Sequence, residues 1–91
     1  MSFEWDPRKA EENFRKHGVR FSETETVFED DYAITIADDS SDTNEQRFVS
    51  MGMGVKGWVP VVVYCFRAEN IRIISARLAE PQECDQYEEA R

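Results

Sequence analysis

The 91-residue chain contains only two cysteines and one histidine, with three prolines and four glycines. Each scarcity removes a class of chemistry. Cys65 and Cys84 are too few for a disulfide scaffold and have no CxxC spacing, so neither a crosslinked secreted fold nor a zinc or redox centre is implied. One imidazole, His17, cannot build a His-pair metal site or two-histidine ribonuclease chemistry. Gly52 and Gly54 lack the strand-then-helix setting of a nucleotide-binding loop and read as a turn. The longest apolar run, Val59 to Phe66, is far short of the roughly 20 residues that span a bilayer, and charged residues follow Met1, unlike a secretory signal. These absences lead to the expectation of a cytoplasmic chain that needs no metal and no cofactor.

What is present suffices for one domain over residues 1–91. With 41% hydrophobic and 12% aromatic residues, the chain can close a small core without crosslinks. The formal net charge of −8 gives an averaged field that repels phosphate. That average hides a segregation. Phe21 to Gln46 carries nine acids and no base, Leu78 to Ala90 five acids and no base, and Arg47 to Arg77 five bases against the single acid Glu69. A focused cationic site therefore fits within an acidic protein.

The order of elements follows from capping and periodicity. Phe3 to Trp5 reads as a short strand. Asp6-Pro7 is an N-cap followed by proline at the first helical position, and Gly18 suits the stop of a helix over Pro7 to His17. Ser22 with Glu25 predicts a second short helix over Ser22 to Glu29. Strands are predicted over Tyr32 to Ala37, Arg47 to Met53, Trp58 to Phe66 and Ile71 to Ala76, with a polar turn at Asp38 to Asp42 and a closing helix from Pro81 to about Ala90. The expected fold is α+β, β-α-α-β-β-β-β-α, a small antiparallel sheet with helices packed on one face.

Candidate chemistry rests on cations. Arg47, Arg67, Arg72 and Arg77 stand on or beside predicted strands, and guanidinium groups make bidentate contacts with phosphate and stabilise charge building on phosphorus. The competing explanation pairs them with the surrounding acids. In a regular strand Arg72 and Arg77, five residues apart, point to opposite faces unless a bulge intervenes. Lys16 and His17 end the first helix, where the imidazole suits either general acid work or a structural cap. Tyr87 offers a hydroxyl and a ring for stacking on a base, or simply a packing surface.

Taken together, Phe3-Glu4-Trp5-Asp6, Lys9, Asn13, Lys16-His17-Gly18-Val19, Phe21 and Glu23, then Arg47-Phe48, Gly52, Ile71-Arg72-Ile73-Ile74-Ser75-Ala76-Arg77, Ala79, Glu83 and Tyr87, closely resemble the BrnT family of bacterial type II toxins. The resemblance covers essentially the whole chain. It implies a RelE-like fold, a ribonuclease that cleaves RNA to arrest translation, and neutralisation by a BrnA-like ribbon-helix-helix antitoxin. It further implies that DNA is met only through that antitoxin, in a homodimer or a 2:2 complex. The residues that transfer position by position are Lys9, Asn13, Lys16, His17, Arg47, Arg72, Ser75, Arg77, Glu83 and Tyr87. Cleavage by the 2′-hydroxyl needs a proton acceptor, a proton donor and cations. His17 is thus expected as acid or base, with Lys16, Glu83 or Tyr87 as other proton carriers, Arg47, Arg72 and Arg77 as phosphate clamps, and Tyr87 as a base or substrate contact. A second reading keeps the fold and the partner but makes the chain a catalytically weak or inactive interaction protein. It rests on Glu80 to Gln86, which holds no cation where the family commonly places several.

Overall fold

The computed structural model describes residues 2–38 and 45–91. The expected turn at Asp38 to Asp42 lies, apart from Asp38, outside them. The elements are β1 (Phe3–Glu4), α1 (Pro7–His17), a 3-10 helix (Phe21–Glu29), β2 (Ile34–Asp38), β3 (Arg47–Met51), β4 (Pro60–Arg67), β5 (Asn70–Leu78) and α2 (Pro81–Ala90). Their order matches the order expected.

Local chemistry explains the boundaries. The Asp6 carboxylate accepts the Arg8 N–H at 2.9 Å, and Gly18, at φ 69°, returns its N–H to the Phe14 carbonyl at 2.8 Å. A left-handed residue there is where glycine is least strained. The second helix begins one residue earlier than Ser22 and is 3-10 rather than α. Its box closes at Arg20, whose N–H donates to the Glu23 carboxylate at 3.3 Å. Phe21 is 2% exposed, and drawing it into the core pulls the helix start toward it.

The sheet runs β1-β5-β4-β3-β2. The strands β2 to β5 are antiparallel as expected, but β1 pairs parallel with β5 through Phe3↔Ile71 and Glu4↔Arg72, so the sheet is mixed. A parallel pair needs a long crossover, and nearly the whole chain separates these two strands.

Alternation along β4 sorts the core into two faces. Val62 and Tyr64 join Val19, Phe21, Val27, Ile71, Ile73 and Ala76 under α1 and the 3-10 helix. A hydrogen-bonded chain from Thr35 through Ser50 to the Tyr64 hydroxyl, each link 2.7 Å, crosses this face. Val61 points the other way and packs with Met51 and Tyr87. The first two helices therefore share one face as expected, while α2 covers one end of the reverse face. Tyr87, 2% exposed, is too apolar a surface to leave in water and fixes that placement.

Candidate active site

Lys9, Asn13 and Lys16 recur on α1 at the four- and three-residue spacing of a single helical face. That face meets β5. Asn13 is 6% exposed; its amide donates to the Ala76 carbonyl at 2.8 Å and the Val19 carbonyl at 3.0 Å, and its side-chain oxygen accepts the Ala76 N–H at 3.0 Å. The carboxamide thus takes both backbone groups of Ala76, as a neighbouring strand would, just beyond the point where β1 ends. This buried anchor holds α1 against the sheet.

Around the anchor opens a cavity of about 270 Å³, lined by Lys9, Glu12, Lys16, His17, Ile74 and Ser75. Among the described residues neither Lys9, Lys16 nor His17 makes an ion pair. Two ammonium groups, an imidazole and a serine hydroxyl therefore face a common space with one carboxylate. Of the residues expected to act, this pocket unites Lys16 and His17. Lys9 and Ser75, carried only by the family resemblance, join them; the signal that identifies them is their position on the α1 face and on β5 opposite it.

The arginines gather on the reverse face of the sheet. Val63 pairs with Ser75 and Tyr64 with Ile73, so Ile74 is an extra residue in β5. This bulge reverses the parity beyond it. Arg72, opposite Cys65, and Arg77, opposite Val61, consequently share a face, and Arg47 also stands opposite Cys65 from the other side. Two strand spacings place the Arg47 and Arg72 Cα atoms about 10 Å apart, and four residues of β4 place the Arg77 row about 13 Å farther on.

Most of these guanidinium groups are engaged. Arg72 contacts Glu4 at 3.0 Å and Arg67 contacts Glu45 at 3.0 Å. Arg77 forks onto both Glu83 oxygens, at 2.8 and 3.0 Å. That fork, aided by the Glu80 N–H, holds the Glu83 carboxyl down to about 2. An acid so strong is a poor proton acceptor near neutrality, so the expected proton-carrying role of Glu83 does not fit its setting. Arg47 has no ion pair among the described residues. Burial, then the contact with Glu45, pushes the Cys65 thiol up and keeps it a weak nucleophile.

Tyr87 stands apart from both clusters. Its hydroxyl donates to Asp30, and burial followed by that hydrogen bond pushes the phenol up to about 12. Burial alone would raise Asp30; the hydrogen bonds from Tyr87 and from the Met53 and Tyr32 N–H groups outweigh it and leave this carboxyl below its usual range. The ring cannot stack on a base without lifting α2, so the expected substrate contact is replaced by a packing role.

The family described as "Ribonuclease toxin, BrnT, of type II toxin-antitoxin system" matches residues 5–83. The crystal structure of the Brucella abortus ribonuclease toxin BrnT superposes with a TM-score of 0.66 at 23% identity, covering 88% of this chain and 97% of that one, which establishes a shared fold. No curated protein sequence matches the chain. The matched span contains the α1 face, the bulged β5 and all four sheet arginines, and the chain belongs to the BrnT family of ribonuclease toxins of type II toxin-antitoxin systems.

Proposed function

We propose that the chain cleaves RNA endonucleolytically, without a metal, and thereby arrests translation until a BrnA-like ribbon-helix-helix antitoxin neutralises it. One observation carries this reading: Lys9, Lys16 and His17, all without an ion-pair partner among the described residues, converge with Ser75 on one open cavity. The scissile phosphate sits between Lys9 and Lys16, which offset the charge that builds as the 2′-hydroxyl attacks phosphorus. His17 moves the proton, taking it from the 2′-hydroxyl or giving it to the departing 5′-oxygen. The products are a 2′,3′-cyclic phosphate and a 5′-hydroxyl. Arg47, without an ion pair among the described residues, supplies a further cation for the flanking backbone.

The pairing of Arg67, Arg72 and Arg77 with carboxylates supports the second reading, a weak or silent toxin that persists as an interaction protein. The two part in a direct assay. Purified chain is incubated with RNA in excess chelator, and the new ends are mapped. Cleavage leaving cyclic phosphate ends, abolished in His17→Ala, is expected. Intact RNA over many hours, together with unimpaired growth on expression, selects the silent reading.

A further inference from the structure

The two edges of the sheet are treated differently. The β5 side is closed by β1 and by the Asn13 carboxamide. On the other side β2 pairs inward with β3 from Ile34↔Met51 to Asp38↔Arg47, and among the described residues nothing pairs with its outer edge. A bare edge presents a row of unpaired N–H and C=O groups, and sheets usually blunt it with lysine, proline, a bulge or a cover. Among the described residues β2 has none of these. Ile34-Thr35-Ile36-Ala37 is uncharged and runs in unbroken register with β3. Ile36 is 62% exposed on the face that α2 leaves open, and Tyr32, just upstream, is 52% exposed.

The segment that carries this edge is acidic, and the base registered beside it is Arg47 of β3, opposite Asp38. Glu29 and Asp31 are exposed before it, Asp38 ends it, and residues 21–46 hold nine acids and no base. Such a field repels a phosphodiester chain. What fits is a polypeptide in extended form, with apolar side chains beside Ile36 and cations at its ends.

We propose that β2 is the docking edge for the antitoxin, which adds an extended segment bearing lysine or arginine as a sixth strand. The proposal rests on the toxin-antitoxin reading. It is tested by hydrogen exchange on the full chain, alone and in complex with the protein encoded by the adjacent reading frame. Exchange of the outward-facing amides in residues 34–37, those that do not pair with β3, is expected to slow at least tenfold in the complex. The double variant Ile36→Arg with Asp31→Lys should weaken the complex tenfold or more while circular dichroism and thermal unfolding of the free chain stay unchanged. A complex with β2 still exchanging freely, and the double variant binding as tightly as the native chain, overturns the docking edge and leaves the toxin reading intact. Failure of the adjacent protein to bind at all overturns both. Protection of β2 in the isolated chain, with dimers in solution, overturns the proposal in favour of self-pairing.

Discussion

Two cationic regions lie within one small protein, and they differ in what their charge is free to do. Along one face of α1, Lys9, Lys16 and His17 face an open cavity with no ion-pair partner among the described residues. Across the sheet, Arg67, Arg72 and Arg77 each hold a carboxylate at 3.0 Å or less. Counted along the sequence, the arginine stretch is the more positive of the two; measured by uncommitted charge, the α1 face is. A phosphate approaching Arg77 has to displace a forked carboxylate already bound, whereas one approaching Lys16 meets no ion pair among the described residues. Availability therefore separates a recognition surface from a braced one, and net charge per segment does not report it.

The sharpest break between the regions is catalytic. His17→Ala should lower the cleavage rate by roughly a hundredfold or more, the usual contribution of positioned proton transfer, while Arg67→Ala leaves the rate within about twofold. Equal losses in the two variants would erase the distinction. Next comes binding. Replacing Lys9 and Lys16 together with alanine should reduce the slope of log affinity against log salt for single-stranded RNA by about 1.4, two phosphate contacts at about 0.7 each. Arg67→Ala should leave that slope unchanged.

The paired region should instead reveal itself through stability. Glu83 is held at about 2 in the fold against 4.5 as its ordinary value, so its pairing stabilises the native state above the unfolded pKa and is lost as pH falls from about 4.5 toward 2. Arg77 is 42% exposed at its side chain, and solvent screening limits the gain to about 1–2 kcal/mol. Glu83→Gln should therefore cost about that much in urea unfolding at pH 7 and only about 0.4 kcal/mol at pH 2, where the carboxyl is half protonated in the fold. The smallest effect belongs to Tyr87→Phe, which removes one hydrogen bond to Asp30 and should cost about 1 kcal/mol with cleavage unaltered. A drop in RNA cleavage there would return Tyr87 to the site.

Much of this was legible in the residues because it is local. Asp6-Pro7 and Gly18 mark α1 to the residue, Pro81 opens α2, and the apolar run in β4 marks a central strand. What escaped was set by distant partners. Glu4 and Arg72 are 68 positions apart, and nothing near either announces the pair. β1 was expected in an antiparallel sheet, yet a two-residue strand has no pattern that fixes direction. The bulge at Ile74 sits among Ile73, Ile74 and Ser75, with no glycine or proline to flag it, although the odd spacing of Arg72 and Arg77 made a bulge the one way to align them. Tyr87 reads alike on a helix facing solvent or a second core; only the emergence of Val61 on the reverse face decides it.

Asn13 stands in for a strand at Ala76 and, with the same amide, fixes the helix that carries Lys9, Lys16 and His17. Its loss would couple two failures that are separate in most enzymes. Any local opening that lifts α1 uncovers a bare strand edge and scatters the cations in a single event. On the proposed mechanism, a copy loosened in this way would lose cleavage as it gains a second edge for pairing, so fold quality and activity would fall together.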